Sequence, residues 1–240
     1  MRDEGISYEV MRMIYVMSDI HGRIDRFESI LRQIDLQEQD HLYVLGDVID
    51  RNVGGDALML RLLQMPNATL LLGNHEWMMR DCIVDGGDAE AWILNGGMET
   101  LMEYFDLSAN QMRFLWNYLR QLPIEARARV NDIDYLLTHS MPISLYSQER
   151  DANMTDTEFA VWSRVEANTP LPEGTTLVFG HTPTVFYQDV DPMRVWHSDR
   201  RIGIDCGCGD PSGRLACLRL DDMKEFYSTD KTEGEADKVR

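Results

Sequence analysis

Five apolar runs in this chain stop on the same chemistry. "VMSDIHG" delivers Asp19 and His21, "YVLGDVIDR" delivers Asp47, Asp50 and Arg51, "LLLGNHE" delivers Asn74 and His75, "LLTHS" delivers His139, and "LVFGHTP" delivers His181. Four of the six histidines follow directly on such runs. An imidazole or carboxylate at the end of a buried strand is costly unless it is paired or ligates a metal. A single such end is an ordinary structural histidine or an aspartate capping a turn. Five in one chain point to polar groups converging on one place.

The same runs set the architecture. Residues 12–20, 41–49 and 68–76 read as buried strands, with helical spacing of apolar residues at 23–34 and 54–65 between them. Strand–helix alternation predicts a parallel α/β layer, in which ligands sit beyond the carboxyl ends of the strands. Residues 77–122 read as two or three helices, a helical cap insertion, the last opened by a Ser108–Gln111 capping box. After it, paired strands meet at an Asn131–Asp132 turn, and a helix begins near Thr155. Short β-rich runs from 175 to 229 suggest a second sheet. The last residues, 229–240, lack an apolar anchor and are expected to be a disordered tail. With no internal repeat and no linker, residues 1–228 read as a single domain.

Charge narrows the function. A net charge of −18 with a pI near 4.6 argues against nonspecific binding to a nucleic-acid polymer, and none is expected as partner, because phosphates must be neutralised by Lys and Arg. It leaves room for a phosphorylated substrate held by a few arginines. No apolar run reaches the length of a membrane-spanning helix, and the first residues lack the apolar core of a signal peptide, so a cytoplasmic place is expected. Cys82, Cys206, Cys208 and Cys217 are expected to be reduced, mostly buried thiols. The Cys206–Cys208 pair is too tightly spaced for an ordinary zinc knuckle. The sequence carries no signal for oligomeric state.

Carboxylate, imidazole and amide oxygen together suit Mn, Fe or Zn. One aspartate has two oxygens and can bridge two ions, and two ions roughly 3.5–4 Å apart can hold a hydroxide and polarise a phosphoryl oxygen. The motifs Asp19-Ile20-His21-Gly22, Gly46-Asp47-Val48-Ile49-Asp50-Arg51 and Gly73-Asn74-His75-Glu76 resemble those of the calcineurin-like metallophosphoesterases. Their "GDVIDR" and "GNHE" forms resemble its phosphoprotein phosphatase branch. Trp162-Ser163-Arg164 and Ile204-Asp205-Cys206-Gly207 add a likeness to the bacterial and lambda-phage-type serine/threonine protein phosphatases. The resemblance covers about residues 13 to 210.

The resemblance implies an α/β fold, a β-sandwich of two mixed sheets flanked by helices. It implies that Asp19, His21 and Asp47 hold one divalent metal ion. Asp47, Asn74, His139 and His181 hold a second, with manganese the preferred ion and iron or zinc as alternatives. It implies that His75, oriented by Asp50, protonates the leaving oxygen while Arg51 and Arg164 grip the phosphate. Glu76 is expected to fix backbone or arginine geometry rather than bind metal. The stretch "WILNGGMET" either places Asn95 near the substrate or marks a helix break at Gly96–Gly97. Asn52 stands where many relatives have glycine. The expected activity is hydrolysis of a phosphomonoester, on a phosphoprotein or small phosphorylated molecule. Symmetrical diadenosine tetraphosphate hydrolases carry the same motifs and supply the alternative substrate. A non-catalytic phosphate-binding protein on the same fold is the alternative from another class, and the presence of every expected ligand argues against it.

Overall fold

The computed structural model describes residues 12–146 and 150–229. The expected tail lies, from residue 230 on, outside the described residues. Strands β1 (Ile14–Met17), β2 (His41–Val44) and β3 (Ala68–Leu70) pair in parallel. Helices α1 (Ile24–Ile34) and α2 (Gly55–Leu63) connect them, so the strand–helix alternation of the sequence forms as expected. The strands themselves are shorter than the apolar runs. Each run leaves the ladder a few residues before its polar end, and this frees the terminal residues to turn into the site.

The insertion forms α3 (Asn74–Arg80), α4 (Glu90–Trp92), α5 (Met98–Phe105) and α6 (Ala109–Gln121). Ser108 and Gln111 form the capping box that opens α6. Two π-helical turns, Asp81–Asp85 and Ile93–Gly97, interrupt the insertion, and Gly96 sits at φ 95° inside the second. The helix break expected at Gly96–Gly97 is therefore real. The insertion begins earlier than the sequence suggests. Asn74, His75 and Glu76 are the first turn of α3 rather than the end of a strand, because the Glu76 carboxylate accepts the Gly73 N–H (3.1 Å) and closes the helix start.

Beyond the insertion, β4 (Glu125–Val130) and β5 (Ile133–Thr138) form a hairpin whose two turn residues, Asn131 and Asp132, both have positive φ. Short α7 (Ile143–Tyr146) follows, then α8 (Asp156–Trp162), capped by Thr155 as its sequence predicts. Strands β6 (Thr175–Phe179), β7 (Trp196–Ser198) and β8 (Arg201–Gly203) complete the sheet β4-β5-β6-β8-β7. The last two strands, β9 (Ala216–Arg219) and β10 (Lys224–Tyr227), do not join that sheet, although their position in the chain suggests it. β9 runs antiparallel along the free edge of β1 and β10 antiparallel along β9, giving β10-β9-β1-β2-β3. Both sheets are thus mixed.

The two sheets pack face to face. Val16, Leu45, Leu71, Leu137, Val178, Ile204 and Leu218 share one buried cluster between them. A larger cluster, with Phe27, Ile30, Leu58, Met59 and Leu115, fills the space between the first sheet and its helices. A third, with Phe159, Val165 and Phe179, covers the outer face of the second sheet. This three-layer burial holds β1, β2, β5 and β6 with their carboxyl ends at one edge of the sandwich. No helix among the described residues is long and apolar enough to cross a membrane.

Candidate metal centre and active site

The loops leaving β1, β2, β5 and β6 deliver Asp19, His21, Asp47, His139 and His181 to that edge, and the first turn of α3 adds Asn74 and His75. All but His181 are at most 3% exposed. Asp19, His21, Asp47, Asp50, Arg51 and His181 all have positive φ, from 49° to 71°. A non-glycine residue held there costs on the order of 1 kcal/mol or more, and such strain concentrates at functional sites. Close backbone approach does part of the holding. A Cβ on Gly46 would lie 2.6 Å from the Gly73 Cα, and one on Gly73 would lie 2.2 Å from Asp47 Oδ1. The two loops touch only because both residues lack side chains.

Glu76 ties the same loops together. Its carboxylate, fully buried, accepts N–H groups from Asp47 (2.8 Å), Val48 (2.8 Å) and Gly73 (3.1 Å). Of the two roles expected of it, these bonds show the one toward backbone. Glu76→Ala would leave buried N–H groups unpaired at a cost of about 3 kcal/mol or more. Thermal unfolding should therefore shift down by roughly 10 °C. An unchanged melting temperature would remove Glu76 from this role. Asn52 also binds backbone: its amide donates to the carbonyls of His21 (3.0 Å) and Gly209 (3.1 Å), contacts a glycine could not make.

The histidine tautomers follow from their partners. His21 Nδ1 faces the Ile49 carbonyl at 3.0 Å, and His139 Nδ1 faces the Leu45 carbonyl at 2.8 Å. A carbonyl only accepts, so each Nδ1 carries the proton and each Nε2 carries a lone pair. His139 Nε2 then lies 3.0 Å from Asn74 Oδ1 and 3.5 Å from Asp47 Oδ1, and His181 Nδ1 lies 3.0 Å from the same Asn74 oxygen. His21 Nε2 lies 3.8 Å from Asp47 Oδ2. Burial, reinforced by neighbouring cationic groups, drives His21 well below the ordinary imidazole range, and burial lowers His139 as well. Burial and then His139 push His181 down to about 2. Neutral imidazole lone pairs aimed at oxygen acceptors repel one another unless a cation lies between them.

The carboxylates carry the matching signature. Burial, with Asp19 nearby, raises Asp47 well above the carboxylate range, and burial beside Asp19 does the same to Asp205. Two groups could each hold an ion and share Asp47: His21, Asp47 and His75, and Asp47, His139 and His181. This donor set of nitrogen and oxygen fits divalent metals. Within its group, His75 has further partners. Its Nδ1 lies 2.6 Å from Asp50 Oδ2 and its Nε2 lies 3.4 Å from an Arg51 nitrogen. Burial pulls its pKa down, but the charge of Asp47 and the bond to Asp50 outweigh this and raise it. With Nδ1 bonded to Asp50, the Nε2 of His75 faces the Arg51 guanidinium and Asp47 Oδ2, 3.9 Å away. Asp19, by contrast, faces the centre as a carboxylate whose Oδ2 accepts the Ser18 hydroxyl (2.5 Å) and the His181 N–H (3.0 Å).

The remaining predicted residues lie at the rim. Arg51 and Arg164 are exposed, Arg164 donating to the Thr182 hydroxyl at 3.1 Å. Asn95 is exposed on the insertion, and its amide donates to the Ala91 carbonyl at 2.8 Å. The backbone of the adjacent Gly96 is what reaches the site, accepting the Arg51 N–H at 2.9 Å. The four cysteines are free thiols, three of them buried. Two buried residues escaped the sequence reading. Asp205 was visible only as part of "IDCG". Trp92, whose indole N–H donates to Asp50 Oδ2 at 2.8 Å, looks in sequence like any core tryptophan.

Two mixed sheets thus bring two candidate metal-binding groups that share Asp47 to one edge of the sandwich. Residues 12–218 match the calcineurin-like phosphoesterase family, and the chain belongs to it. Members of this family use divalent metals. Serine/threonine-protein phosphatase 2 of Escherichia coli (strain K12) is 32% identical over 144 residues, 58% of this chain and 63% of that protein. The symmetrical bis(5'-nucleosyl)-tetraphosphatase of Glaesserella parasuis serovar 5 is 24% identical over 210 residues, 80% of this chain and 71% of that protein. The crystal structure of a cold-active protein-tyrosine phosphatase of a psychrophilic Shewanella has a TM-score of 0.58 at 18% identity. It covers 91% of this chain and 81% of that one, a likeness of fold. The chain thus spans less than two thirds of the Escherichia coli relative.

Proposed function

We propose that the protein is a phosphomonoesterase acting on phosphorylated serine and threonine side chains, with two divalent ions at its site. The observation that supports this best is Asp47, which lies between two histidine groups and offers one oxygen to each. In this reading Asp19, His21 and Asp47 hold one ion, and Asp47, Asn74, His139 and His181 hold the other. Manganese is the preferred ion, with iron or zinc as alternatives. Bound ions supply positive charge to the phosphoryl oxygens and lower the pKa of an attacking water.

The chain's own residues do the rest. Arg51 and Arg164 bind the phosphate, a task that suits exposed, planar guanidinium groups at the rim. His75 holds a proton on Nε2 for the departing oxygen, and Asp50 fixes the ring through Nδ1. Asn95 stays a candidate substrate contact at the mouth. The thiols take no part, since burial raises Cys208 to about 12 and Cys206 and Cys217 higher still. Four free thiols suit a reducing compartment, so we infer a cytoplasmic place.

The second reading is a dinucleotide hydrolase. It is favoured by the tetraphosphatase relative, whose match takes in more of this chain than that of the protein phosphatase. A turnover panel decides between them: phosphoserine, phosphothreonine and phosphotyrosine peptides, diadenosine tetraphosphate and a phosphodiester. The proposal expects the phosphoserine and phosphothreonine peptides to be cleaved fastest. Cleavage of diadenosine tetraphosphate with little action on the peptides would overturn it.

A further inference from the structure

Asp50 is held from two sides. Its Oδ2 accepts from His75 Nδ1 (2.6 Å) and from Trp92 Nε1 (2.8 Å), while its Oδ1 has no hydrogen-bond partner among the described residues. Asp50 and Trp92 are both fully buried. The indole comes from the helical insertion, 42 residues further along the chain. Trp92 belongs to the main core cluster, so its ring is also a packing element. Its N–H is more than that, because the single carboxylate oxygen it bonds is the one that orients His75.

The rest of the insertion converges on the same place. Thr100 Oγ1 accepts the Asp50 N–H at 2.9 Å, and the Gly96 carbonyl accepts the Arg51 N–H at 2.9 Å. Asp50 and Arg51 are consecutive non-glycine residues at φ 71° and 67°. That conformation persists only where its surroundings over-determine it. The slot for the indole is also built. A Cβ on Gly97 would lie 2.5 Å from Trp92 Cδ1 and Nε1, so the ring fits because residue 97 has no side chain.

We propose that Trp92 is a positioning residue for proton transfer: its indole N–H fixes the Asp50 carboxylate, which in turn holds His75 with Nε2 toward the leaving oxygen. This rests on the reading of His75 as the proton donor. A carboxylate held by one donor can swing about its own bond, and a second donor at a right distance removes that freedom. The insertion is then part of the active site as well as a cover. A purely structural tryptophan makes a different prediction. Its loss would lower turnover by the same factor on every substrate, whereas loss of positioning hurts only substrates whose leaving group needs a proton.

The test is a leaving-group series on the metal-loaded enzyme: 2,4-dinitrophenyl, p-nitrophenyl and phenyl phosphate, with Trp92→Phe and His75→Asn. Dinitrophenolate departs unprotonated, and phenolate is the most basic of the three. Trp92→Phe is expected to lower kcat about tenfold on phenyl phosphate and by less than about twofold on the dinitrophenyl ester. His75→Asn should show the same slope more steeply. If His75→Asn is steep and Trp92→Phe falls equally on all three esters, the positioning role is overturned while the reading of His75 stands. If His75→Asn is itself flat, both fall. Should Trp92→Phe fail to fold, benzothienylalanine placed at 92 keeps the bicyclic shape without the N–H. A steep series from it supports the role, and wild-type behaviour overturns it.

Discussion

His75→Asn is expected to lower kcat on a phosphoserine peptide by roughly 100- to 10,000-fold, the range of a lost general acid. The metal content should not change. The expectation comes from where the imidazole points its nitrogens. Nδ1 lies against Asp50 and Nε2 lies against Arg51, 3.4 Å away, and against Asp47, 3.9 Å away. An asparagine here keeps a polar group of similar reach but has no proton to give at neutral pH. It also leaves Asp19, His21, Asn74, His139 and His181 in place, so the ions should stay. Elemental analysis beside steady-state kinetics separates the outcomes. Loss of metal in His75→Asn would make the residue a ligand, in line with its place in the first cluster, and would end its assignment as the acid.

Most of the site is legible in the sequence because it sits at the ends of strands. Apolar runs are read easily, and Asp19, Asp47, His139 and His181 follow them within a residue or two. The Asn131–Asp132 turn is equally local, since two residues that tolerate positive φ are needed to close that hairpin. Other features depend on distant partners. The start of α3 at Asn74 is set by Glu76 binding backbone of its own turn and of the loop after β2, so a run of leucines into "GNHE" looks like one strand. The pairing of β9 with β1 joins residues about two hundred positions apart, and no local pattern encodes it. Trp92 shows the same limit in the site itself. Its spacing and apolarity mark a core residue, and only the fold brings its N–H to Asp50.

Metal removal is the other large effect expected. Among the described residues, the buried lone pairs and acids that face one another around Asp47 have no counter-charge in the centre apart from the rim arginines and His75. Without cations the phosphate would meet a cluster of carboxylates, and the water would keep its ordinary acidity. The loss should amount to several kcal/mol of transition-state stabilisation, a fall in turnover of about a thousandfold or more. The protein should stay folded, since the three apolar clusters and the Glu76 bonds do not depend on the ions. The decisive measurement is turnover of p-nitrophenyl phosphate by chelator-stripped protein, verified metal-free by elemental analysis, before and during titration with manganese. The account predicts near-complete loss, then recovery that saturates at about two ions per chain, one for each of the two proposed ligand groups that share Asp47. Full turnover by the metal-free protein would contradict it.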